Sequence, residues 1–240
     1  MTTTLYGWGR MFDLPSPSPY VTKSDIQLQM LGVAFDRAIA DLESVSKQKA
    51  PYVLDDGTLI EDSAFIRKHF EAKTGKDLDA GLSLAERATA HSLGGMLEAR
   101  LVQIIVCERW LIDANFERGP MMFFADVPEQ MRGEVIAQVR GDLRSTMHGA
   151  GFARYTRAEQ MLIAAADIAA ASALLGDKTY LFGDTPSAAD ATAFGILAGA
   201  ATRFFDSELP DLVATHSNLM AYLERMEAAY FPVDRWPAMG

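Results

Sequence analysis

The stretch KAPYVLDDGTLIEDSAFIRKHF, Lys49 to Phe70, decides the fold. Pro51 opens the apolar run YVL, Asp56-Gly57 supplies a two-residue turn, and TLIED returns, which reads as a β-hairpin. A proline that opens a strand is a candidate for a cis peptide bond. Asp62 and Ser63 are cap residues for the helix that follows, FIRKHF carries its period, and Gly75 closes it. Asp62 and Ser63 also present a carboxylate, a hydroxyl and unpaired helix N–H groups together, the makings of a polar ligand handle.

Upstream of this unit, TTLYGW (Thr3 to Trp8) is β-prone, SPYVTKSDIQLQML (Ser18 to Leu31) is helical, and AFDRAI (Ala34 to Ile39) alternates apolar and polar residues. The order β-α-β, hairpin, helix predicts a mixed sheet of about four strands with helices packed on it, over residues 1–75. Strand signals then vanish. Residues 76–82 read as a linker, and 83–240 as an all-helical domain opened by cap patterns such as Ser83-x-x-Glu86 and Thr156-x-x-Glu159. The expected helices run roughly from Ser83 to Asn115, Pro128 to Gly149, Thr156 to Leu175, Ser187 to Phe205 and Ser217 to Ala229, with the Gly94-Gly95 pair a candidate kink in the first. No internal repeat is visible.

The composition narrows the function. Of 240 residues, 49% are hydrophobic and 22% charged, enough apolar material for full cores. A net charge of -10 repels nucleic acid and anionic membrane surfaces, so neither is an expected partner. No segment reads as the ~20 apolar residues that span a bilayer, and the expectation is a cytoplasmic protein. Cys107 is the single cysteine, which excludes an internal disulfide and any paired-cysteine metal or redox site. The four histidines are scattered without metal-ligand spacing, so no metal is expected.

One short stretch carries chemistry. With cysteines at Ser18 and Val21, SPYV would read CPYC, a redox pair; without them it cannot shuttle a disulfide. Pro19 suits the first helical position and Ser18 the cap. The free N–H groups and the helix dipole there favour an anion, and the Ser18 hydroxyl is able to donate to a sulfur brought by a bound thiol, which then ionises more easily. The plain alternative is that Ser18 is an N-cap and nothing more.

These pieces resemble the glutathione S-transferases. SPYVTK, KAPYVLDDGTLIEDSAFIRKHF and FGDTPSAADATAFGIL match the family's motifs, and the resemblance covers almost the whole chain. Within the family the chain is most similar to the metaxin and failed-axon-connections group, in CERWLID (Cys107 to Asp113) and NLMAYLERMEAAYFP (Asn218 to Pro232). The resemblance implies an N-terminal thioredoxin-like domain, a helical C-terminal domain, and a homodimer. It implies that Ser18 stands near the glutathione sulfur, that the backbone of Ala50, before Pro51, pairs with the cysteinyl part, and that Asp62 and Ser63 hold the γ-glutamyl end. Lys49 is then positioned for the glycine carboxylate. Tyr6, at the end of the first strand, is a rival for Ser18, because several transferase classes use a tyrosine there. The implied activity is transfer of glutathione to an apolar electrophile, a detoxification reaction with glutathione as co-substrate and no other cofactor. The alternative is a non-catalytic glutathione- or protein-binding adaptor.

The chain departs from the family pattern between Tyr6 and Ser18, where GWGRMFDLPSP makes a long loop. Its residues Trp8, Arg10, Met11 and Phe12, with Tyr20, Arg109 and Trp110, form the candidate second-substrate site, which the loop either roofs or blocks. For Arg109 and Trp110 the ordinary reading is a surface ion pair and a core aromatic. Cys107, beside Ile104, Ile105 and Val106, reads as a buried inert thiol. Ser187-x-x-Asp190 reads as a capping box. Gly7-x-Gly9 lacks the rest of a dinucleotide fingerprint.

Overall fold

The computed structural model describes residues 2–237. One sheet has the strand order β2-β1-β3-β4, from β1 (Thr3–Gly7), β2 (Asp36–Ile39), β3 (Tyr52–Asp55) and β4 (Thr58–Glu61). β1 pairs in parallel with β2 and antiparallel with β3, and β3 pairs antiparallel with β4, so the sheet is mixed as expected. Asp56 and Gly57 both take positive φ, 48° and 86°, the paired left-handed geometry whose twist suits a two-residue hairpin.

Helix α1 (Pro19–Leu31) crosses from β1 to β2, and α2 (Ser63–Thr74) follows β4. Both lie on one face of the sheet, where Leu28, Leu31, Ile66 and Phe70 pack on Leu5, Val53 and Ile60. The opposite face carries Tyr6, Tyr52, Leu54 and Leu59. The connection from β2 to β3 holds a single short turn of 3-10 helix, Leu42–Ser44, and leaves Leu54 and Leu59 exposed there.

Residues 76–82 form turns without helix or strand. Asp79 in this connection ties the two halves, accepting from Arg67 of α2 at 2.7 Å and from the Ala188 N–H of the second half at 3.1 Å. The extremes of the expected domain ranges, residue 1 and residues 238–240, lie outside the described residues.

The helical half opens with α3 (Leu84–Met96), under the reciprocal Ser83–Glu86 cap. The helix then widens into a π-turn (Leu97–Leu101), tightens as α4 (Val102–Val106) and widens again (Cys107–Leu111). It ends earlier than Asn115, the expected terminus. Ile112 is extended, and Arg140 donates to the carbonyls of Trp110 and Leu111 at 3.0 and 3.4 Å, closing the helix end. There follow α5 (Asp113–Arg118), α6 (Glu129–Gly149), α7 (Arg157–Leu175), α8 (Ala188–Ala201), α9 (Leu209–Ala214) and α10 (Ser217–Tyr230). α8 also stops short of the expected Phe205, because Thr202 turns extended and donates its hydroxyl to the Phe12 carbonyl at 2.7 Å.

The expectation that no segment has the length and apolarity of a membrane span is corrected by α7. It is 19 residues long, and an 18-residue window of it reaches a mean hydropathy of 1.4. In the fold, Met161, Ala164, Ile168, Ala171 and Leu175 of this helix join the core beside α8 and α10, which accounts for their apolarity.

Asp190 is fully buried at the start of α8. It accepts from the Leu181 N–H at 2.9 Å and from the N–H and hydroxyl of Ser187 at 2.8 Å each, and the Tyr222 hydroxyl donates to its carbonyl at 3.0 Å. Burial raises its pKa while these bonds pull the other way. Asp190→Ala strands several buried donors and should cost about 3 kcal/mol, a fall in Tm of roughly 6–12 °C for a chain of this size. Asp190→Asn should cost less, and equal melting of wild type and Asp190→Ala would refute this account.

A second buried carboxylate makes a pH test of the first half. Asp55 accepts from Thr3, His69 and Lys73, each at 2.7 Å. Burial alone would raise its pKa, but the bonds from Lys73, His69 and Thr3 outweigh it and hold the group at about 2. A depressed folded pKa gives stability that is present above the unfolded value, about 3.9, and is lost as pH falls through the folded one. Denaturant unfolding should therefore show stability falling between about pH 4 and pH 2, with a shallower fall in Asp55→Asn.

Candidate functional site

The site begins at the start of α1. Ser18 is its N-cap: the hydroxyl accepts from the Val21 N–H at 3.4 Å, and the Ser18 N–H donates to Ser16 Oγ at 3.3 Å. A hydroxyl that already accepts keeps its own proton to donate outward. Pro19 has no N–H to satisfy, and the Tyr20 N–H has no partner among the described residues. Half-exposed Ser18 therefore borders a hydroxyl proton, a free N–H and the positive end of a 13-residue helix.

The strand proline and α2 complete one side. The Ala50-Pro51 peptide is cis, and the Pro51 carbonyl accepts from the Asp62 N–H at 3.3 Å, so the proline and the start of α2 are joined. Asp62 takes φ 84°, ψ 134°, costly for a residue with a side chain, and it caps α2 by accepting from the Ala64 N–H at 2.9 Å. Ser63 beside it is 6% exposed. Burial, then the charges of Glu98 and Asp62, raise the Tyr20 phenol to about 12, so the first turn of α1, the start of α2 and the first π-turn share one electrostatic neighbourhood. Ser18, Tyr20, Ala50, Pro51, Asp62 and Ser63 are thus assembled around one end of the sheet. Lys49 is exposed next to them.

The helical half reaches this site through its π-turns. Glu98, in the first, accepts from Lys23 of α1 at 2.7 Å. Arg109, in the second, is buried and donates to the Pro17 carbonyl at 3.1 Å and the Gly199 carbonyl at 2.8 Å, with its guanidinium 5.0 Å from the centre of the Phe205 ring. Neither a place on the cleft wall nor a surface ion pair describes Arg109, because its donors are turned inward to carbonyls. Sequence reasoning missed Glu98, and a helical period of 3.6 could not have singled it out across a π-turn.

The long loop is a brace with one open flank. Met11 and Leu14 exchange backbone bonds across Phe12 and Asp13, both at φ 58°. Phe12 is buried among Leu14 and Phe205, with the Phe204 ring at 5.0 Å, so its side chain belongs to the core. Arg10 leaves the expected second-substrate group as well, pairing with Glu227 at 3.1 Å and donating to the Phe231 carbonyl at 3.0 Å. Trp8 and Trp110 do converge, on a residue the sequence did not suggest: Phe123 lies 5.8 Å from the Trp8 ring and stacks with Trp110 at 6.2 Å. Trp8, Met11, Trp110 and Phe123 are all half-buried, an aromatic wall between loop and helices.

Tyr6 does not share the face of Ser18. Strand alternation turns Leu5 and Gly7 toward the helices, where Gly7 abuts Val21 of α1, and turns Tyr6 to the other face, stacked on Tyr52 at 4.6 Å. There Tyr6 lines an open groove of about 320 Å³ with Tyr52, Leu54 and Leu59. Cys107 is buried and its thiol is pushed up to about 11, by burial first and then by Glu108, which keeps it protonated and inert. His69 is half-buried against Asp55. No group of three or more potential metal ligands occurs among the described residues.

The chain is similar in sequence and fold to known proteins. The pattern of the glutathione S-transferase N-terminal domain matches residues 19–115, and that of the glutathione S-transferase C-terminal domain matches residues 164–226. The isoprene-epoxide–glutathione S-transferase of Rhodococcus sp. (strain AD45) is 32% identical over 235 residues, covering 95% of this chain and 98% of that one. Failed axon connections of Drosophila melanogaster is 26% identical, covering 95% of this chain and 58% of its own length. The fold is that of the glutathione transferase GSTFuA3 from Phanerochaete chrysosporium, with a TM-score of 0.65 at 17% identity over 98% and 99% of the two chains. With a thioredoxin-like first domain, a helical second domain and a relative matched along nearly its entire length, the chain belongs to the glutathione S-transferase family.

Proposed function

We propose that the protein binds glutathione at the Ser18 end of α1 and activates its thiol for attack on an apolar electrophile. The observation that carries this reading is the convergence of the Ser18 cap, Pro51 bonded to Asp62, and the buried start of α2 at one end of the sheet. The backbone of Ala50 takes the cysteinyl peptide unit, Asp62 and Ser63 take the γ-glutamyl end, and Lys49 meets the glycine carboxylate. The relative that acts on isoprene epoxide supports the enzymatic reading over an adaptor, and makes small apolar epoxides the first electrophiles to try. The aromatic wall of Trp8, Phe123 and Trp110 supports an apolar second substrate. Its setting in this reading is the cytoplasm, as a two-fold homodimer serving detoxification.

The chemistry asked of the protein is modest. A free thiol titrates near 8.5. A charge-assisted hydrogen bond from the Ser18 hydroxyl contributes about 1.5–3 kcal/mol, and the helix end about 0.3–1 kcal/mol. At 1.36 kcal/mol per pH unit these lower the thiol by roughly one to three units, which raises the thiolate share at neutral pH from about 3% to between about a quarter and nearly all. The sulfur then bonds to the electrophilic carbon as its bond to the leaving oxygen breaks, and water supplies the proton to that oxygen.

Two substitutions test separate parts. Ser18→Ala should raise the pH midpoint of bound-glutathione thiolate absorbance by about one unit or more, and lower kcat/KM at neutral pH about tenfold, with affinity measured at acid pH, where the thiol is protonated, nearly unchanged. Tyr6→Phe should leave that midpoint where it is. If glutathione bound to the wild type titrates like free glutathione, the catalytic reading fails. Ser63→Ala should weaken glutathione binding about five- to tenfold by calorimetry, from loss of one hydrogen bond worth about 1 kcal/mol. Unaltered affinity would show that the γ-glutamyl end lies elsewhere.

A further inference from the structure

Arg109 is an unusual buried cation. Its hydrogen bonds go to two backbone carbonyls and its face to the Phe205 ring. Among the described residues no carboxylate pairs with it, and its neighbour Glu108 is engaged by Arg157 in two bonds of 2.9 Å. Burial pulls the guanidinium pKa down to about 10, which still leaves it charged at neutral pH. A buried charge without a counter-ion is costly, and a neutral donor could bond both carbonyls. Structural bracing alone therefore does not account for a full positive charge here.

Its placement is specific. The carbonyl it holds is that of Pro17, the residue before Ser18, and the second anchor is the last turn of α8, where carbonyls carry the negative end of the helix dipole. Gly199 makes room: a Cβ there would sit 3.2 Å from Arg109 Nη2. The π-turn Cys107–Leu111 sets the side chain outside the ordinary helical register. Of the other cations around the start of α1, Lys49 is exposed, where solvent screens its charge, and the rest are paired. Lys23 is bound to Glu98, Asp62 and Glu98 raise the Tyr20 phenol, and Arg10 is bound to Glu227.

We infer that Arg109 is the positioning residue of the thiol site: through the Pro17 carbonyl it fixes the Ser18 cap, and its uncompensated charge favours the thiolate of glutathione bound there. This rests on the glutathione reading above. An uncompensated charge one residue from the cap, at the effective dielectric of a protein interior, shifts a thiol by on the order of one pH unit.

The test compares Arg109→Lys, Arg109→Gln and Arg109→Met with wild type, by calorimetry with glutathione, thermal unfolding, and the pH midpoint of bound-thiol absorbance. Lysine keeps the charge and glutamine keeps donors without charge. Thermal stability should fall in all three. The thiol midpoint should stay within about 0.3 unit of wild type for lysine, and should rise by about one unit, a tenfold loss of thiolate below it, for glutamine and methionine. A neutral variant that binds glutathione with the wild-type midpoint overturns the inference, because a brace alone would move stability only. If both neutral variants fail to fold, lysine decides: a midpoint moved as far as that of Ser18→Ala overturns it, and one held near wild type supports it. Wild-type protein that gives no binding heat with glutathione overturns the glutathione reading and this inference with it, whereas wild-type binding with unmoved variant midpoints strikes Arg109 alone.

Discussion

Helix α1 is gripped on both sides, and the rest of the structure follows from that grip. Leu28 and Leu31 face the sheet core, Ile26 faces the helical core, and Val21 through Leu28 are all buried. On the helical side the partner is α8, whose Gly195 lies so close that a Cβ would come within 2.6 Å of the Pro19 carbonyl. No other residue fits there without moving α1 at the turn that bears the chemistry. A small first domain with little core of its own thus gains rigidity from the second, and the start of α1 is held as firmly as a core element.

Much of this was legible in the sequence, because it depends on neighbours in the chain. Asp56-Gly57 signals its turn, Ser83, Thr156 and Ser187 signal their boxes with Glu86, Glu159 and Asp190, and Ser18-Pro19 signals its cap. What escaped the sequence depends on contacts made at long range. Gly7-x-Gly9 looked like an incomplete nucleotide motif; both glycines in fact make room for Trp236, more than two hundred residues away. The π-turns shift Glu98 and Arg109 off the helical period, so a periodic reading treats both as ordinary surface charges. The alternation that turns Tyr6 away from the helices follows once the register with Tyr52 is known, and pairing of β1 with β3 is a non-local fact.

The helix that presents the site is also the most polar piece of the interior. Asp25 is buried in a two-bond pair with Arg37 at 2.6 Å, Lys23 is buried against Glu98, and Ser24 Oγ and both amide atoms of Gln27 lack partners among the described residues. Each such group weakens a core relative to apolar packing. Ordinary core helices here do otherwise: α8 is small and apolar along its length, with Asp190 confined to the capping box. The concentration of polar groups on α1 is what a helix looks like when it must pack on both sides and still hold a polar ligand at its end.

The net charge of -10 would suggest a protein hostile to a ligand that carries two carboxylates and reacts as a thiolate. It is not, because screening confines exposed charges to about 8 Å at physiological ionic strength, while buried groups are screened far less. The thiol is therefore governed by the few groups at its own end of the sheet. Asp62 there is negative, Glu98 and Lys23 offset each other, exposed Lys49 is screened by solvent, and the neutral donors of Ser18 and the α1 backbone act over hydrogen-bond distance. In that local balance one buried guanidinium outweighs many surface carboxylates. The same reasoning explains why Arg109 is enclosed by Phe205 and two carbonyls: a carboxylate partner would cancel the field that the site uses.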